Sequence, residues 1–114
     1  MPLLDTINER KIRLFDYERI CNPEPPHERL VAFGRFAGIV GMQDFLVGLG
    51  SYLLMRRMGT PFFNISYAYM YKDLECMIQS DKIVAEMIQE EGLPPQICPL
   101  IFGFTSKGRC SQGA

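Results

Sequence analysis

The sequence predicts an α/β fold that is mostly helical, and three features of its hydrophobic pattern carry this prediction. Residues 35–58 and 73–91 repeat apolar side chains at intervals of three and four, which is the period of a helix with a buried face. Residues 97–105 form a continuous apolar run after a helix and two prolines, as expected of a strand buried on both faces of a parallel sheet. A chain of 114 residues suffices for one small domain.

The composition is that of a folded globular protein. Hydrophobic residues make up 47% and charged residues 22%, which excludes a disordered tail or a collagen-like fibre. The 12 Lys and Arg are balanced by 13 Asp and Glu, so the net charge is −1. Because there is no excess of positive charge, neither nucleic acid nor an anionic membrane is expected as a partner.

The cysteine pattern predicts neither a metal site nor a disulfide framework. Cys21, Cys76, Cys98 and Cys110 form no C-x-x-C pair, and the one histidine, His27, does not complete the paired ligand spacings of a zinc site. The first residues contain neither the basic nor the apolar region of a signal peptide. We therefore expect reduced thiols in an intracellular protein, either cytoplasmic or mitochondrial.

Two short strands are predicted near the N-terminus. Residues 11–20 mix β-branched and aromatic side chains with charges, and residues 30–33 are apolar. The proline-rich stretch between them is a loop, because proline is excluded from helix interiors and from central strands.

A stripe of small residues marks the helix predicted over 35–58. Each interior glycine costs a helix about 0.5–1 kcal/mol relative to alanine, so the stripe indicates close approach by another backbone or by a ligand. A membrane span is disfavoured because Gln43 and Asp44 lie near the middle, where an Asp costs about 2.5–3.5 kcal/mol. We expect a buried helix with a break near Gly48 or Gly50. The stripe consists of Gly34, Ala37, Gly38, Gly41 and Gly48.

Between the two helices, within residues 61–71, every second residue from Ile65 to Tyr71 is isoleucine or tyrosine. This pattern indicates an extended segment or a turn-rich coil. The next helix, predicted over 73–91, has Asp73 as its N-cap, and Gly92 followed by two prolines ends it.

The apolar run over 97–105 leads into a loop of small residues, which is the order found in the first half of a dinucleotide-binding unit. Small residues allow backbone N–H groups to approach a pyrophosphate, and a helix then begins with its N-terminus toward the phosphates. Gly108 and Gly113 are suitably spaced, but Ser106 stands where the first glycine of G-x-G-x-x-G belongs. A surface turn after any strand has a similar sequence, so the loop alone leaves both interpretations open.

Four separated blocks of the chain resemble, in the same order, the lysine-ketoglutarate reductase half of the bifunctional aminoadipic semialdehyde synthases. The resemblance covers nearly the whole chain and extends in part to the fungal saccharopine dehydrogenases. Gly108, Ser111, Gly113 and Ala114 match the G-x-G-x-x-S-x-G-A loop of that family, and Ser106 departs from it. The blocks are RLVAFGRFAGIVGMQDFLVGLG, TPFFNISYAYMY, GLPPQICPLIFGFT and SKGRCSQGA.

This resemblance implies an NAD(P)-dependent oxidoreductase acting on CH–NH donors, built from two Rossmann-like α/β domains with the active site in the cleft between them. Such a reductase condenses the side-chain amine of lysine with 2-oxoglutarate and reduces the imine to saccharopine. NADP is the implied cofactor, with NAD as the alternative. The chain would comprise the end of the substrate domain (1–34), a long glycine-rich interdomain helix with covering helices (35–95), and the truncated start of the dinucleotide-binding domain (96–114).

The resemblance also implies site residues. Arg29 looks like the arginine that grips a substrate carboxylate, and Phe33 looks like a residue lining that pocket. Without the family, Arg29 is an ordinary solvated charge. The residues that look like the cofactor-contacting loop are Ser106, Gly108, Arg109 and Gly113.

No catalytic residue is assigned, because the acid–base lysine and histidine of the family precede the matched region. His27 lies in the proline-rich loop, outside any family motif. We therefore expect a partial reductase that is inactive by itself. The alternatives are a non-catalytic interaction module and a fragment of another member of the alanine dehydrogenase/transhydrogenase superfamily.

The expected partners are the small-molecule substrates and either a second copy or the remainder of the same enzyme. A strand that is apolar on both faces needs strand neighbours and helical cover. The sequence offers too few of these, so we expect the chain to be incomplete as a folding unit and prone to association.

Overall fold

A computed structural model describes residues 2–25 and 27–114, and within them the regular structure is helical. The chain divides into two compact units, Met1–Phe33 and Gly34–Ala114. The first contains helix α1 (Pro2–Glu9), and the second contains α2 (Gly34–Met55), α3 (Leu74–Glu91) and α4 (Arg109–Gly113). Short 3₁₀ turns lie at Tyr17–Arg19, Pro61–Asn64, Ala68–Met70 and Pro95–Ile97.

In the first unit, the predicted strands over 11–20 and 30–33 do not form. Residues 17–19 make a 3₁₀ turn instead, and the Asp16 side chain caps it by accepting from the Glu18 amide at 3.0 Å. The β pairing seen here is a single antiparallel bridge between Cys21 and Arg29. None of the described residues of this unit is buried. The strand prediction was wrong because no sheet covers the apolar side chains that motivated it.

Helix α2 forms the core of the second unit together with the segment that follows it and α3. Its Leu53 is 3% exposed and packs with Phe62, Ile65 and Val84. The helix runs unbroken through Gly48 and ends at Met55, so the predicted break and the predicted end at residue 58 were wrong.

Packing explains why Gly50 does not break α2. A Cβ built on Gly50 would lie 2.7 Å from both the carbonyl carbon and the carbonyl oxygen of Phe62. The glycine therefore lets the turn at Pro61–Asn64 lie directly against the helix backbone. This contact compensates for its low helix propensity.

Polar contacts in the middle of α2 join it to the two segments that follow. Gln43 is 3% exposed, and its Nε2 donates to the Ser66 carbonyl and to Asp81 Oδ1, both at 3.1 Å. Asp44 Oδ1 accepts from the Ala68 amide at 3.3 Å. By length and composition alone α2 could cross a membrane, as could the core helix of a folded domain. Its buried polar group is satisfied here by protein.

The tyrosine-rich segment over 61–71 is turn-rich coil rather than an extended strand. Two 3₁₀ turns occupy it, and Tyr71 closes it by accepting from the Ser66 amide at 3.1 Å and donating to Ser80 Oγ at 3.2 Å. The hydroxyl thereby fixes the segment to α3. Of the two conformations that the period-two pattern left open, the structure has the coil.

Helix α3 begins and ends where the sequence predicts. Asp73 is the N-cap, and its Oδ1 accepts from the Cys76 amide at 2.9 Å. This hydrogen bond holds the pKa of the Asp73 carboxyl below its ordinary value of 3.8. Gly92 ends the helix at φ +76°, a conformation that side-chain-bearing residues rarely adopt.

The apolar run over 97–105 does not form a strand. Pro95–Ile97 is a 3₁₀ turn, and residues 98–107 have no regular structure. Ile101 is 79% exposed, because no described segment lies alongside to pair with it. The mostly helical character is thus confirmed, but the β component of the α/β prediction is absent from residues 2–25 and 27–114.

A first prediction compares two glycines of α2. Gly50→Ala forces a methyl group into the Phe62 backbone, and overpacking of this kind costs about 1–3 kcal/mol. Gly48→Ala meets nothing within 4 Å and should gain about 0.5–1 kcal/mol through helix propensity. In thermal unfolding followed by circular dichroism, the unfolding midpoint of Gly50→Ala should be lower than that of the parent chain. The midpoint of Gly48→Ala should be equal to or higher than that of the parent. Equal midpoints would contradict the close contact at Gly50.

A second prediction concerns the cap of α3. Because folding lowers the pKa of Asp73, its stabilising effect is present above pH 3.8 and is lost as the pH falls through the lower folded value. Asp73→Ala should lower the unfolding midpoint at pH 7. Asp73→Asn keeps an acceptor and should stay near the parent while losing this pH dependence. Unfolding midpoints measured from pH 7 to pH 2 check both, and an unchanged midpoint for Asp73→Ala would count against the cap.

Candidate functional site

The loop predicted to contact a dinucleotide leads directly into α4. Gly108 is the residue before the helix, and its amide donates to Ser106 Oγ at 3.0 Å. Gln112 closes the loop from the helix side, since its Nε2 donates to the Lys107 carbonyl at 3.0 Å and its amide to the Gly108 carbonyl at 3.0 Å. Residues 101–110 are all exposed.

Glycines on both partners hold α4 against the first turns of α2. A Cβ built on Gly38 would lie 2.8 Å from the carbonyl carbon of Cys110 and 2.9 Å from the Ala114 amide nitrogen. A Cβ on Gly113 would run into the Arg35 backbone, 2.9 Å from its carbonyl carbon. The glycine stripe of α2 is therefore explained at Gly38 by tight helix–helix packing, as the sequence allowed. Gly41 and Gly48 have no neighbour within 4 Å.

An open groove of about 350 Å³ lies between α2, α3 and the end of α4. Arg35 and Asp81 place opposite charges on its lining, and the apolar part comes from Ile39, Met42 and Met77. The Gln43–Asp81 hydrogen bond crosses its floor from α2 to α3. The hydrogen bond between Gln43 and Asp81 was not predicted from the sequence. A glutamine in the middle of an apolar helix was nevertheless a visible signal of a buried polar contact.

One backbone donor of the loop is already engaged in a hydrogen bond within the loop. Dinucleotide loops bind phosphate oxygens through backbone N–H groups near the helix start. Here the Gly108 N–H is already taken by Ser106 Oγ. The glycine that would let α4 pack on a strand, Gly113, packs on α2 instead. The structure thus brings Ser106, Gly108, Arg109 and Gly113 together in one loop and helix, where the Gly108 N–H donates to Ser106 Oγ.

Arg29 and Phe33 belong to the first unit, where both contact the 3₁₀ turn over 17–19. Arg29 Nη1 lies 3.7 Å from Glu18 Oε1, and both side chains are more than half exposed. Phe33 packs edge-on against Tyr17, with ring centroids 6.2 Å apart. The arginine thus already faces a carboxylate, although an exposed pair of this kind contributes little stability.

The remaining candidate groups form no metal-binding cluster in the described part of the chain. His27 is exposed, with Nδ1 3.3 Å from the Asn22 carbonyl. No group of three or more His, Cys, Asp and Glu side chains among residues 2–25 and 27–114 is placed to hold a metal ion.

Comparisons with known proteins match the chain from end to end. It is 44% identical over 114 residues to the alpha-aminoadipic semialdehyde synthase of Arabidopsis thaliana. It is 37% identical to the mitochondrial alpha-aminoadipic semialdehyde synthase of Rattus norvegicus and 38% identical to that of Bos taurus, over the same length. No protein-family model matches.

The matched region is a small part of each relative. All of this chain is aligned, but it covers 10% of the plant protein and 12% of the rat and cow proteins. The resemblance drawn from the four sequence blocks is confirmed: over its whole length, this chain is homologous to one segment of the alpha-aminoadipic semialdehyde synthases.

Proposed function

We propose that this chain is the segment of a lysine-ketoglutarate reductase that joins the substrate domain to the start of the dinucleotide-binding domain. The observation that carries the proposal is the 44% identity to a synthase over all 114 residues. On this proposal, residues 1–34 end the substrate domain, 35–95 contribute the interdomain and covering helices, and 96–114 begin the dinucleotide-binding domain.

The exposed apolar run over 97–105 supports this placement. Ile101 and Phe104 are 79% and 53% exposed, and segments this apolar are normally buried. Paired with strands from elsewhere in the enzyme, the run becomes the first parallel strand of the dinucleotide-binding domain. The loop over 106–113 would then follow that strand, and α4 would remain seated on α2 through Gly38 and Gly113.

The reaction proposed for the whole enzyme is the reductive condensation of lysine with 2-oxoglutarate to saccharopine. NADPH, with NADH as the alternative, would supply the hydride that reduces the imine. The residues proposed to face this cofactor are Ser106, Gly108, Arg109 and Gly113. Because the Gly108 N–H donates to Ser106 Oγ at 3.0 Å, the serine hydroxyl would have to release this amide before it could bind a phosphate oxygen.

Within the reaction, this chain contributes binding and positioning rather than proton transfer. Arg29 would exchange its exposed partner Glu18 for a substrate carboxylate, which suits the planar guanidinium fork. Phe33 would line the same pocket. Since the chain has one histidine and that residue lies in an exposed loop, the acid–base groups would come from outside this segment.

A second candidate function is a non-catalytic interaction module. It is favoured by the large apolar side chains that α2 exposes, including Phe36, Phe45, Tyr52 and Met55. A module should form an oligomer of defined size at all concentrations in size-exclusion chromatography, whereas a partial enzyme should associate without a defined size. A fragment of another alanine dehydrogenase/transhydrogenase-like enzyme is the third candidate.

The location proposed for this chain is intracellular, either mitochondrial or cytoplasmic. Three relatives are named mitochondrial, which supports an intracellular location.

A transplant tests the reductase proposal. Residues 1–114 replace the matching segment of the Arabidopsis synthase, and a second chimera carries the matching rat segment as control. We expect NADPH oxidation that requires both lysine and 2-oxoglutarate, because the host supplies the acid–base groups. The isolated chain should form no saccharopine above background. A folded but inactive chimera beside an active rat control, or turnover by the isolated chain, would refute the proposal.

The carboxylate contact is tested in the same chimera. A hydrogen bond between charged groups is worth about 1.5–3 kcal/mol, so Arg29→Ala should raise the KM for one substrate roughly tenfold or more. Arg19→Ala removes a guanidinium from the adjacent turn and serves as the control. Steady-state kinetics with each substrate varied gives both values. Unchanged KM for lysine and for 2-oxoglutarate would remove Arg29 from the site.

A further inference from the structure

We infer that the groove between α2, α3 and the end of α4 is a binding site for an ω-amino acid, a small molecule with a carboxylate at one end of an apolar stem and an ammonium group at the other. The carboxylate pairs with Arg35, and the ammonium group binds to Asp81 and Gln43. Of the site residues proposed above, Gly113 alone lines this groove. The inference therefore concerns a different site and does not depend on the proposed function.

One end of the groove carries a positive charge. Arg35 lies in the first turn of α2, where its backbone is in close contact with Gly113 of α4. Its side chain is exposed, and it forms no ion pair within the part of the chain that the structure describes. A guanidinium binds a carboxylate through two parallel hydrogen bonds. Arg35 is therefore available to the carboxylate of a ligand.

The floor of the groove supplies acceptors for an ammonium group. Gln43 Nε2 donates to Asp81 Oδ1 at 3.1 Å, which fixes the two side chains between α2 and α3. Each group has a second oxygen, Gln43 Oε1 and Asp81 Oδ2, and an ammonium group has three donors to offer them. Gln43 is buried and Asp81 is half-buried. Because water screens a half-buried carboxylate less than an exposed one, Asp81 attracts a cation more strongly than a surface carboxylate does.

The separation of the two ends selects a ligand with a stem. Arg35 and Gln43 are eight residues apart on α2, which corresponds to about 12 Å along the helix axis. The apolar lining consists largely of Ile39, Met42 and Met77. An α-amino acid carries its carboxylate and its ammonium group on one carbon, so it cannot reach both ends at once. A linear ω-amino acid can, and its methylene groups gain by leaving water for the apolar lining.

The test is NMR of the 114-residue chain, isotope-labelled at its methionine methyl groups. The probe is 6-aminohexanoate, compared with hexanoate, which lacks the ammonium group, and with hexylamine, which lacks the carboxylate. The signals of Met42 and Met77 should shift in a saturable way, whereas that of Met87, which lines a different cavity, should not. The parent chain should bind 6-aminohexanoate about threefold to tenfold more tightly than either comparison ligand, as expected for one added contact between charged groups at a partly exposed site.

Two variants separate the two ends of the groove. Arg35→Gln should weaken binding of 6-aminohexanoate and hexanoate about threefold to tenfold and leave hexylamine unchanged. Arg35→Lys keeps the positive charge and should lose less. Asp81→Asn keeps an oxygen for the Gln43 amide, and it should weaken binding of 6-aminohexanoate and hexylamine while leaving hexanoate unchanged. The matched controls, Arg56→Gln just after α2 and Glu86→Gln at an exposed position of α3, should bind all three ligands as the parent does.

Dependence on both charges decides the outcome. The inference is overturned if the parent chain binds 6-aminohexanoate no more tightly than hexanoate or hexylamine, or if Met42 and Met77 show no saturable shift. Parent-like binding of 6-aminohexanoate by Arg35→Gln or by Asp81→Asn overturns it too. The comparison of ligands in the parent chain needs no substitution, so it decides even where a variant disturbs the fold. None of these results bears on the reductase proposal, which is tested by the transplant.

Discussion

Two places where another backbone lies directly against α2 determine how the second unit packs. At Gly38 the Cys110 carbonyl of α4 takes the space that a Cβ would fill, and at Gly50 the turn after the helix does the same. Because these contacts are made by backbone atoms, a side chain on α2 could not be accommodated by a change of rotamer. The turn over 61–64 and the loop leading into α4 both take their positions from this requirement.

Polar groups between these two contacts join α2 to its neighbours. Gln43 is buried and satisfied by the Ser66 carbonyl and Asp81, while Asp44 accepts from the Ala68 amide. A buried amide without partners would cost about 1–3 kcal/mol, so these bonds favour one arrangement of α2, α3 and the coil between them. Apolar contacts alone would not discriminate as sharply between helix orientations, because the hydrophobic effect is non-directional.

Arg29 and the loop over 106–113 belong to different units and make different contacts. Arg29 faces the Glu18 carboxylate at the edge of an exposed turn. The loop over 106–113 satisfies its own amide at Gly108 and is closed by Gln112.

Local signals in the sequence predicted the two ends of α3 correctly. Its cap at Asp73 and its end at Gly92 each act within one or two turns of the chain, and the structure reproduces both. The existence of α2 was also predicted, because helical periodicity needs no distant partner, although the predicted break and the predicted end at residue 58 were wrong. Only the tertiary structure decided which glycines of α2 lie against another backbone, because this depends on where α4 and the turn after α2 lie. Gly38 and Gly50 are packed in this way, whereas Gly41 and Gly48 are not. The strands predicted at 11–20, 30–33 and 97–105 are absent from the described residues for the same physical reason. A helix satisfies its hydrogen bonds within its own segment, whereas a strand needs a neighbour that no local pattern supplies.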